Sequence, residues 1–211
     1  MRFLICIVVL WYYNISKGIC LLTVFDFPPQ ALAETDCFSV LSRDGAEELL
    51  IIPPRALPDA AVSQAAWVYF HAPQMPLERL PITPRTLVPE YLAARFAENP
   101  VMISSQLCGG TLRERLADAL ARFGERVWLL CEPLCARLPL PCPDAREERV
   151  SQAEMQAFFA AHPALYTPEF CCEYAVDTER SQLYLRDTPQ TIAQKLTLAE
   201  SIGILHALCL P

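Results

Sequence analysis

The chain has 211 residues, of which 53% are apolar and 19% charged, a composition typical of a folded protein with one large core rather than of a disordered chain. Its net charge of −7, with no basic stripe, argues against a nucleic-acid-binding surface. A chain this long and apolar is also not a small disulfide scaffold, although it contains ten cysteines.

The cysteines are spread along the sequence, and several lie inside apolar runs. Cys131 and Cys209 are two of these, and a free cysteine in such a run packs as a small hydrophobic residue. Cys131, Cys135 and Cys142 form the one local cluster, without the short paired spacing or neighbouring His of common zinc sites. We therefore expect mostly reduced core thiols, with disulfides or metal binding as the alternatives, and we assign no metal site and no cofactor.

The N-terminal segment is predominantly apolar. Arg2 precedes an apolar run over residues 3–13, as in a secretory signal, and a second run covers 19–25. Lys17 between the two runs would be costly in a membrane span. The segment therefore fits a signal or anchor, or alternatively a spurious extension or a core strand.

Two regions follow from this pattern. Residues 1–35 are predicted to be an apolar leader, and residues 36–211 a single α/β domain. The compartment stays open: cytoplasmic, or exported or membrane-anchored if residues 1–25 are a genuine signal. Contact with a membrane is expected only through this segment.

From residue 37 to residue 105 the pattern predicts strands with a short helix over 57–65 and a second helix over 90–98. Residues 37–42 and 48–52 flank a turn signal and suggest a hairpin, and residues 66–71 and 101–105 are further strands. Residues 90–98 have the apolar spacing of a helix.

The middle of the chain predicts helix, strand, loop and helix. Thr111 and Glu114 form a capping box before an apolar stripe that ends at Gly124. Residues 126–131 predict a buried strand, and residues 133–150 a polar, proline-rich loop. A second capping-box pattern predicts a helix over 151–162.

The C-terminal part predicts two extended segments, a helix and a closing strand. The extended segments are 165–176 and 182–186, and the helix begins at Asp187 or Thr188. Gly203 stands where the helix C-terminus favours a left-handed residue. Because the closing run 205–210 is apolar on both faces, it needs a neighbour on each side, as in a mainly parallel α/β sheet.

Several motifs in the C-terminal half resemble glycoside hydrolase family 18. Residues 187–195 (DTPQTIAQK) are similar to the family's closing segment, and residues 124–133 (GERVWLLCEP) to one of its strands. Residues 138–141 (LPLP) and the hairpin at 170–184 are similar to the spore peptidoglycan-hydrolase branch. The resemblance covers 111–211 and implies a (β/α) barrel. Since a complete barrel usually needs about 250 residues, we expect a small, irregular or partial TIM-type barrel with mainly parallel strands.

The sequence departs from the family where the family's chemistry resides. It contains no D-x-x-D-x-D-x-E run, which in the family supplies the catalytic acid and the substrate-orienting aspartate. Residues 205–208 (LHAL) replace the Trp that floors the family's sugar site, and residues 131–136 lack the family's loop Tyr. The resemblance therefore implies the scaffold and not the activity.

The residues that could carry chemistry follow predicted strands, because barrel sites lie at the carboxyl ends of the strands. Glu132 paired with Glu169 or Glu173 could run a glycosidase reaction if the carboxyl groups lie about 5–9 Å apart. Alternatively, each is an ordinary solvated carboxylate. The candidate ligand-binding residues are His71, Gln106, Glu132 and Tyr166.

Two functions remain open from the sequence. One is a catalytically inactive family 18-like domain that binds N-acetylhexosamine glycans of the peptidoglycan or chitin type; were it active, it would be a glycosidase. The other is a non-enzymatic structural or protein-interaction domain without a glycan ligand. An incomplete barrel would leave a sheet edge to cover, which makes a homo-oligomer a further expectation.

Overall fold

The computed structural model describes the protein at residues 20–23, 38–41, 48–52, 67–70, 76, 79–80, 82–106, 110–141 and 147–209, with the first three ranges described as backbone only. His71 and the predicted helix over 57–65 lie outside these residues, and so does most of the predicted leader.

The strands of the described residues alternate with helices in the C-terminal half and are short throughout. In chain order they are β1 (Cys20–Thr23), β2 (Phe38–Leu41), β3 (Glu48–Ile52), β4 (Trp67–Phe70), β5 (Val88–Pro89), β6 (Val101–Ser104), β7 (Val127–Cys131), β8 (Cys135–Pro139), β9 (Glu148–Arg149), β10 (Leu165–Thr167), β11 (Cys172–Asp177), β12 (Gln182–Arg186) and β13 (His206–Cys209).

Three α-helices occur in the described part of the chain: α1 (Leu112–Phe123), α2 (Gln152–Ala161) and α3 (Pro189–Ser201). Single 3₁₀ turns cover Glu90–Leu92 and Gly124–Arg126. None of the helices described has the length and apolar character that crossing a membrane requires.

The central sheet is parallel, as the sequence predicts. Its strand order is β1-β13-β7-β6-β5, and all four pairings are parallel. The apolar closing strand β13 lies between β1 and β7 and buries Ala207 and Leu208 completely, one on each face. β1 falls inside the predicted leader, in the part for which the sequence leaves a core strand as one alternative.

A smaller sheet has the order β2-β3-β4. β2 and β3 are antiparallel, as the hairpin pattern predicts, and β3 and β4 are parallel. A parallel bridge joins Val68 to Thr86, and Leu87 N–H donates to the Val68 carbonyl over 2.8 Å just before β5 begins. The mixed α/β class with a parallel sheet is therefore confirmed. The strand pairings described do not include β1 with β2, the pairing that would close the strands into a ring.

An antiparallel sheet, β10-β11-β12-β8-β9, is inserted between β7 and α3. Its strands β8 and β9 fall inside residues 133–150, so the prediction of a loop there is wrong in part. β8 alternates buried Ala136 and Leu138 with half-buried Cys135 and Arg137, which is the pattern of a strand covered on one face. The flanking prolines obscure this short alternation in the sequence.

The predicted helix over 90–98 is also wrong, because the structure forms one 3₁₀ turn there followed by irregular turns. Pro89 precedes the turn without a side-chain cap, and a helix this short is marginal without strong packing. Asn99 instead donates side-chain hydrogen bonds to the carbonyls of Thr83 and Thr86 over 2.6 and 2.8 Å, which fixes the segment as a loop.

The main core lies between the central sheet and the helices α1 and α3. Leu112, Leu116 and Ala119 of α1 and Ile192 and Leu196 of α3 pack against the outward face of β6, β7 and β13. Each buried Leu or Ile contributes roughly 1.5–3 kcal/mol relative to exposure. These two helices fix which face of the sheet is covered and which face is left to form a site.

Both helices begin at side-chain caps. Thr111 and Glu114 form the capping box that the sequence predicts for α1. For α3 the N-cap is Thr188, and its capping partner is Thr191. Gly203 adopts the predicted positive φ, at 94°, after the end of α3.

Candidate functional site

The alternation of β7 separates two faces of the central sheet. Val127, Leu129 and Cys131 belong to the cluster beneath the helices, so Trp128 and Leu130 point to the opposite face. This second face is called the inner face below.

The inner face carries a layer of aromatic side chains. Met102, Trp128 and His206 are register partners on β6, β7 and β13. The Trp128 ring stacks on His206 with 4.8 Å between centroids, and it meets Trp67 of β4 edge-on at 5.0 Å. Trp128 is only 2% exposed, so this layer forms a packed floor rather than an open platform.

Glu132 follows β7 directly, at the carboxyl end of the central sheet. The side chain is half-buried. Burial raises the pKa of the Glu132 carboxyl, and the positive charge of Arg149 on β9 offsets part of the shift. A glutamic acid that is partly buried in this way retains its proton to a higher pH than a solvated one.

Tyr69 of β4 lies within electrostatic reach of Glu132. Burial, and secondarily the negative charge of Glu132, raise the pKa of the Tyr69 hydroxyl well above its ordinary range. The hydroxyl therefore stays protonated. Glu132, Tyr69 and Arg149 are interacting groups brought together from β7, β4 and β9.

Gln106 follows the neighbouring strand β6 at the same edge. Its backbone N–H donates to Ser104 Oγ over 3.1 Å, and its side chain is half-buried. The backbone N–H of Ser105 donates to the Leu130 carbonyl over 2.8 Å, which continues the ladder between β6 and β7 by one residue. Gln106 and Glu132 therefore follow adjacent parallel strands at the edge where ligands of such sheets bind.

The other two candidate carboxylates belong to the antiparallel sheet. Glu173 on β11 accepts a hydrogen bond from Nε of Arg186 over 2.8 Å, and Nη2 of the same guanidinium pairs with it at 2.7 Å. Glu169 is exposed and accepts a hydrogen bond from the Thr167 hydroxyl over 2.7 Å, which lowers the pKa of its carboxyl. Both carboxylates are thus already occupied by neighbouring side chains.

Tyr166 lies on the edge strand β10, opposite Glu173. Its side chain is 44% exposed. Burial of part of the ring and a hydrogen bond with Cys171 raise the pKa of the Tyr166 hydroxyl to about 12. The candidate residues thus divide into two groups, one at the edge of the central sheet and one on the antiparallel sheet.

Sequence reasoning missed Tyr69 and Arg149. The sequence does indicate a place for Tyr69, because it stands two residues after Trp67 on a predicted strand, and side chains two residues apart share a face. Arg149 had none, since it lies in the segment predicted as a loop. In the parts of the chain that the structure describes, no group of three or more His, Cys, Asp or Glu side chains is arranged to hold a metal ion.

An open groove of about 480 Å³ lies between β6, the segment that follows β5 and the helix α1. It is lined by Tyr91, Glu90 and Arg115, among others. Glu90 bridges Arg122 over 2.6 Å and Arg115 over 3.6 Å, so its charge is already matched from the helix α1. The groove contains no residue that the sequence singled out for chemistry.

Comparisons with known proteins find similarity of fold only. Neither a protein-family model nor a curated protein matches the chain. The similar solved structures include the spore cortex-lytic enzyme SleL of Bacillus cereus, with 14% identity and a TM-score of 0.44 over 71% of this chain and 46% of that one. SleL of Bacillus megaterium has 8% identity and a TM-score of 0.44, over 71% of this chain and 38% of that one.

A chitinase from Chromobacterium violaceum is also similar, with 13% identity and a TM-score of 0.42 over 59% of this chain and 49% of that one. These are the kinds of protein that the sequence resemblance names. The chain spans less than half the length of each of these three structures. Similarity at this level transfers neither a site nor an activity.

Proposed function

We propose that the carboxyl edge of the central sheet binds an N-acetylhexosamine glycan of the peptidoglycan or chitin type without hydrolysing it, on a small or partial (β/α) barrel. The observation that carries the proposal is Glu132, a half-buried carboxyl with a raised pKa at the end of a central parallel strand. Perturbed acids in this position of an α/β sheet mark binding and catalytic sites.

The chemistry around Glu132 suits an uncharged, hydroxyl-rich and amide-bearing ligand. The Glu132 carboxyl can hydrogen-bond hydroxyl and amide groups, and the Gln106 amide can both donate and accept. The apolar inner face lies beneath these groups, and ligand sites commonly combine an apolar floor with a few placed polar groups. The family resemblance of residues 111–211 supports the choice of N-acetylhexosamine.

Binding without turnover follows from the shortage of a second catalytic group. Glycoside hydrolysis needs an acid together with a base or nucleophile on the other side of the bond. Glu169 is held by Thr167 and Glu173 by Arg186, and the family's acidic run is missing from the sequence. Glu132 can therefore hydrogen-bond a ligand without a partner for hydrolysis among these candidates.

The test is a titration of the full chain with chitooligosaccharides and with muropeptides, followed by calorimetry or NMR. We expect saturable binding with Kd on the order of 1 mM, about −4 kcal/mol, and no released sugar. Glu132→Ala should weaken binding about 3- to 10-fold through the lost hydrogen bond, whereas the matched variant Glu169→Ala should not. Absence of binding at several millimolar ligand, or equal effects of the two variants, would refute the proposal.

A second candidate function is self-association through the edge strand β10. Leu165 and Tyr166 on this edge are 53% and 44% exposed, and Val176 on the adjacent strand β11 is 40% exposed. An exposed apolar edge favours pairing with a second copy of the chain. Light scattering should then show a dimer that Leu165→Asp dissociates, and a monomer at all concentrations would remove this candidate.

A further inference from the structure

Cys131 and Cys209 are paired across the two central strands of the sheet. Cys131 ends β7, Cys209 ends β13, and the two residues are register partners in the parallel ladder. Both side chains belong to the cluster beneath α1 and α3, so they lie on the same face. Both thiols are free.

We propose that Cys131 and Cys209 form a reversible disulfide that ties β13 to β7. Neighbouring strands lie about 4.7–4.9 Å apart, which falls within the Cα separation of roughly 4.4–6.8 Å that disulfides adopt. The two residues are register partners on one face of the sheet, so their side chains lie side by side, which meets the remaining requirement. The bond therefore needs no change in strand register.

The oxidant that the step requires is a small-molecule disulfide such as oxidised glutathione. The thiolate of one cysteine attacks a sulfur of the oxidant, forms a mixed disulfide and releases one glutathione thiolate. The second cysteine thiolate then attacks the protein sulfur and releases the other glutathione. Both protein thiols lose their protons and two electrons in total, and one oxidant disulfide is reduced to two thiols.

The burial of both thiols makes this reaction slow while β13 is packed in the sheet. Cys131 is completely buried and Cys209 is 6% exposed. A hydrogen bond with the Cys131 thiol, in which Cys209 keeps its proton, and burial raise the pKa of Cys209, so little thiolate forms while β13 is packed. Oxidation therefore requires local opening of β13, and the disulfide, once formed, prevents that opening.

The disulfide would act on the inner face as well. His206 and Trp128 stack on the opposite face of the same two strands, three residues before Cys209 and Cys131 respectively. A covalent link between β7 and β13 fixes the floor beneath Glu132. The disulfide does not depend on the proposed glycan site, because it requires only that Cys131 and Cys209 are register partners on one face of the sheet.

The experiment uses the reduced, full-length protein incubated in native buffer with oxidised glutathione. Unreacted thiols are then alkylated under denaturing conditions, and tryptic peptides are analysed by mass spectrometry without reduction. Cleavage after Arg and Lys places Cys131 in peptide 127–137 and Cys209 in peptide 196–211. We expect these two peptides to be linked, with loss of two hydrogens, and a dithiol reductant to separate them.

Cys135 shares the first peptide, so it supplies the matched control. Its thiol donates to the Val150 carbonyl over 3.1 Å, away from Cys209. Cys135→Ser should keep the link, and Cys209→Ser should remove it. If Cys209→Ser does not fold, fragment ions of the wild-type peptide decide between Cys131 and Cys135. Full alkylation of Cys131 and Cys209 after oxidation, or a link from Cys209 to any other cysteine, would overturn the proposal.

Discussion

Lys195 and Asp187 form an ion pair that is completely closed to solvent, with 2.6 Å between Nζ and Oδ2. The backbone N–H of Leu134 also donates to Oδ2 over 2.9 Å, and the Thr191 hydroxyl donates to Oδ1 over 2.9 Å. Asp187 thereby connects the helix α3 to the residue that precedes β8. The pair joins the helical layer of the central sheet to the inserted antiparallel sheet.

Removing one partner of this pair should destabilise the protein strongly. Lys195→Met leaves the Asp187 charge buried with two neutral donors, and an uncompensated buried charge costs about 3–5 kcal/mol. The unfolding free energy from urea denaturation, monitored by tryptophan fluorescence, measures the loss.

A double variant provides the control. Lys195→Met with Asp187→Asn removes both charges, so it should be less destabilised than Lys195→Met alone. Arg180, whose side chain is 72% exposed, pairs with Asp177 at 3.9 Å and gives the comparison at the surface, where Arg180→Ala should cost about 0–1 kcal/mol. A loss for Lys195→Met no larger than that for Arg180→Ala would contradict the account.

Glu132 should make stability depend on pH in a defined direction. Its folded pKa is raised above the ordinary 4.5, so the unfolded chain loses this proton first as the pH rises. The free energy of unfolding that this pKa difference contributes is fully present below pH 4.5 and is lost as the pH rises through the folded pKa. Glu132→Gln should therefore gain stability relative to wild type between pH 4 and pH 8, by urea denaturation. A difference that does not change with pH would rule this out.

The positive charge of Arg149 should also influence the pKa of the Glu132 carboxyl. Its positive charge favours ionised Glu132 and so lowers a pKa that burial raises. Arg149→Ala should raise the Glu132 pKa further, as measured by NMR titration of the side-chain carboxyl carbon. Arg137→Ala on the adjacent strand is the matched control, because Arg137 bonds Glu148 and Glu154 instead. Equal shifts in both variants would show that Arg149 has no specific effect.

The predictable elements were those whose local signals agree with their packing. Thr111 and Glu114 stand three residues apart before a long apolar stripe, and α1 begins there as expected. β13 was predictable because a strand that is apolar on both faces needs two neighbours. The helix predicted over 90–98 failed because its short stripe competes with the hydrogen bonds that anchor Asn99.

The candidate site could be predicted only in part, because some of its residues are marked by local sequence and others only by the three-dimensional arrangement of the strands. Glu132 is marked by its place at the end of a buried strand, a local feature of the sequence. Its electrostatic neighbours Tyr69 and Arg149 come from β4 and β9, and only the three-dimensional arrangement of the strands brings them near. Likewise, Cys209 lies far along the sequence from Cys131, and the parallel register alone pairs them.

Replacing Gly203 should destabilise the protein because of backbone strain rather than steric crowding. Its φ is 94°, and a Cβ there would meet only Leu120 Cδ2, at an ordinary 3.7 Å. The positive φ lets Gly203 N–H donate to Glu200 and Ile204 N–H to Ala199, which closes the end of α3. Gly203→Ala should therefore lose about 1 kcal/mol or slightly more of unfolding free energy.

Asparagine separates the two causes, because it tolerates a positive φ better than alanine but is larger. Gly203→Asn should therefore be less destabilised than Gly203→Ala if backbone strain dominates. Thermal and urea unfolding of the two variants measure the order. A larger loss for Gly203→Asn would mean that crowding against Leu120, and not the conformation of the turn into β13, controls this position.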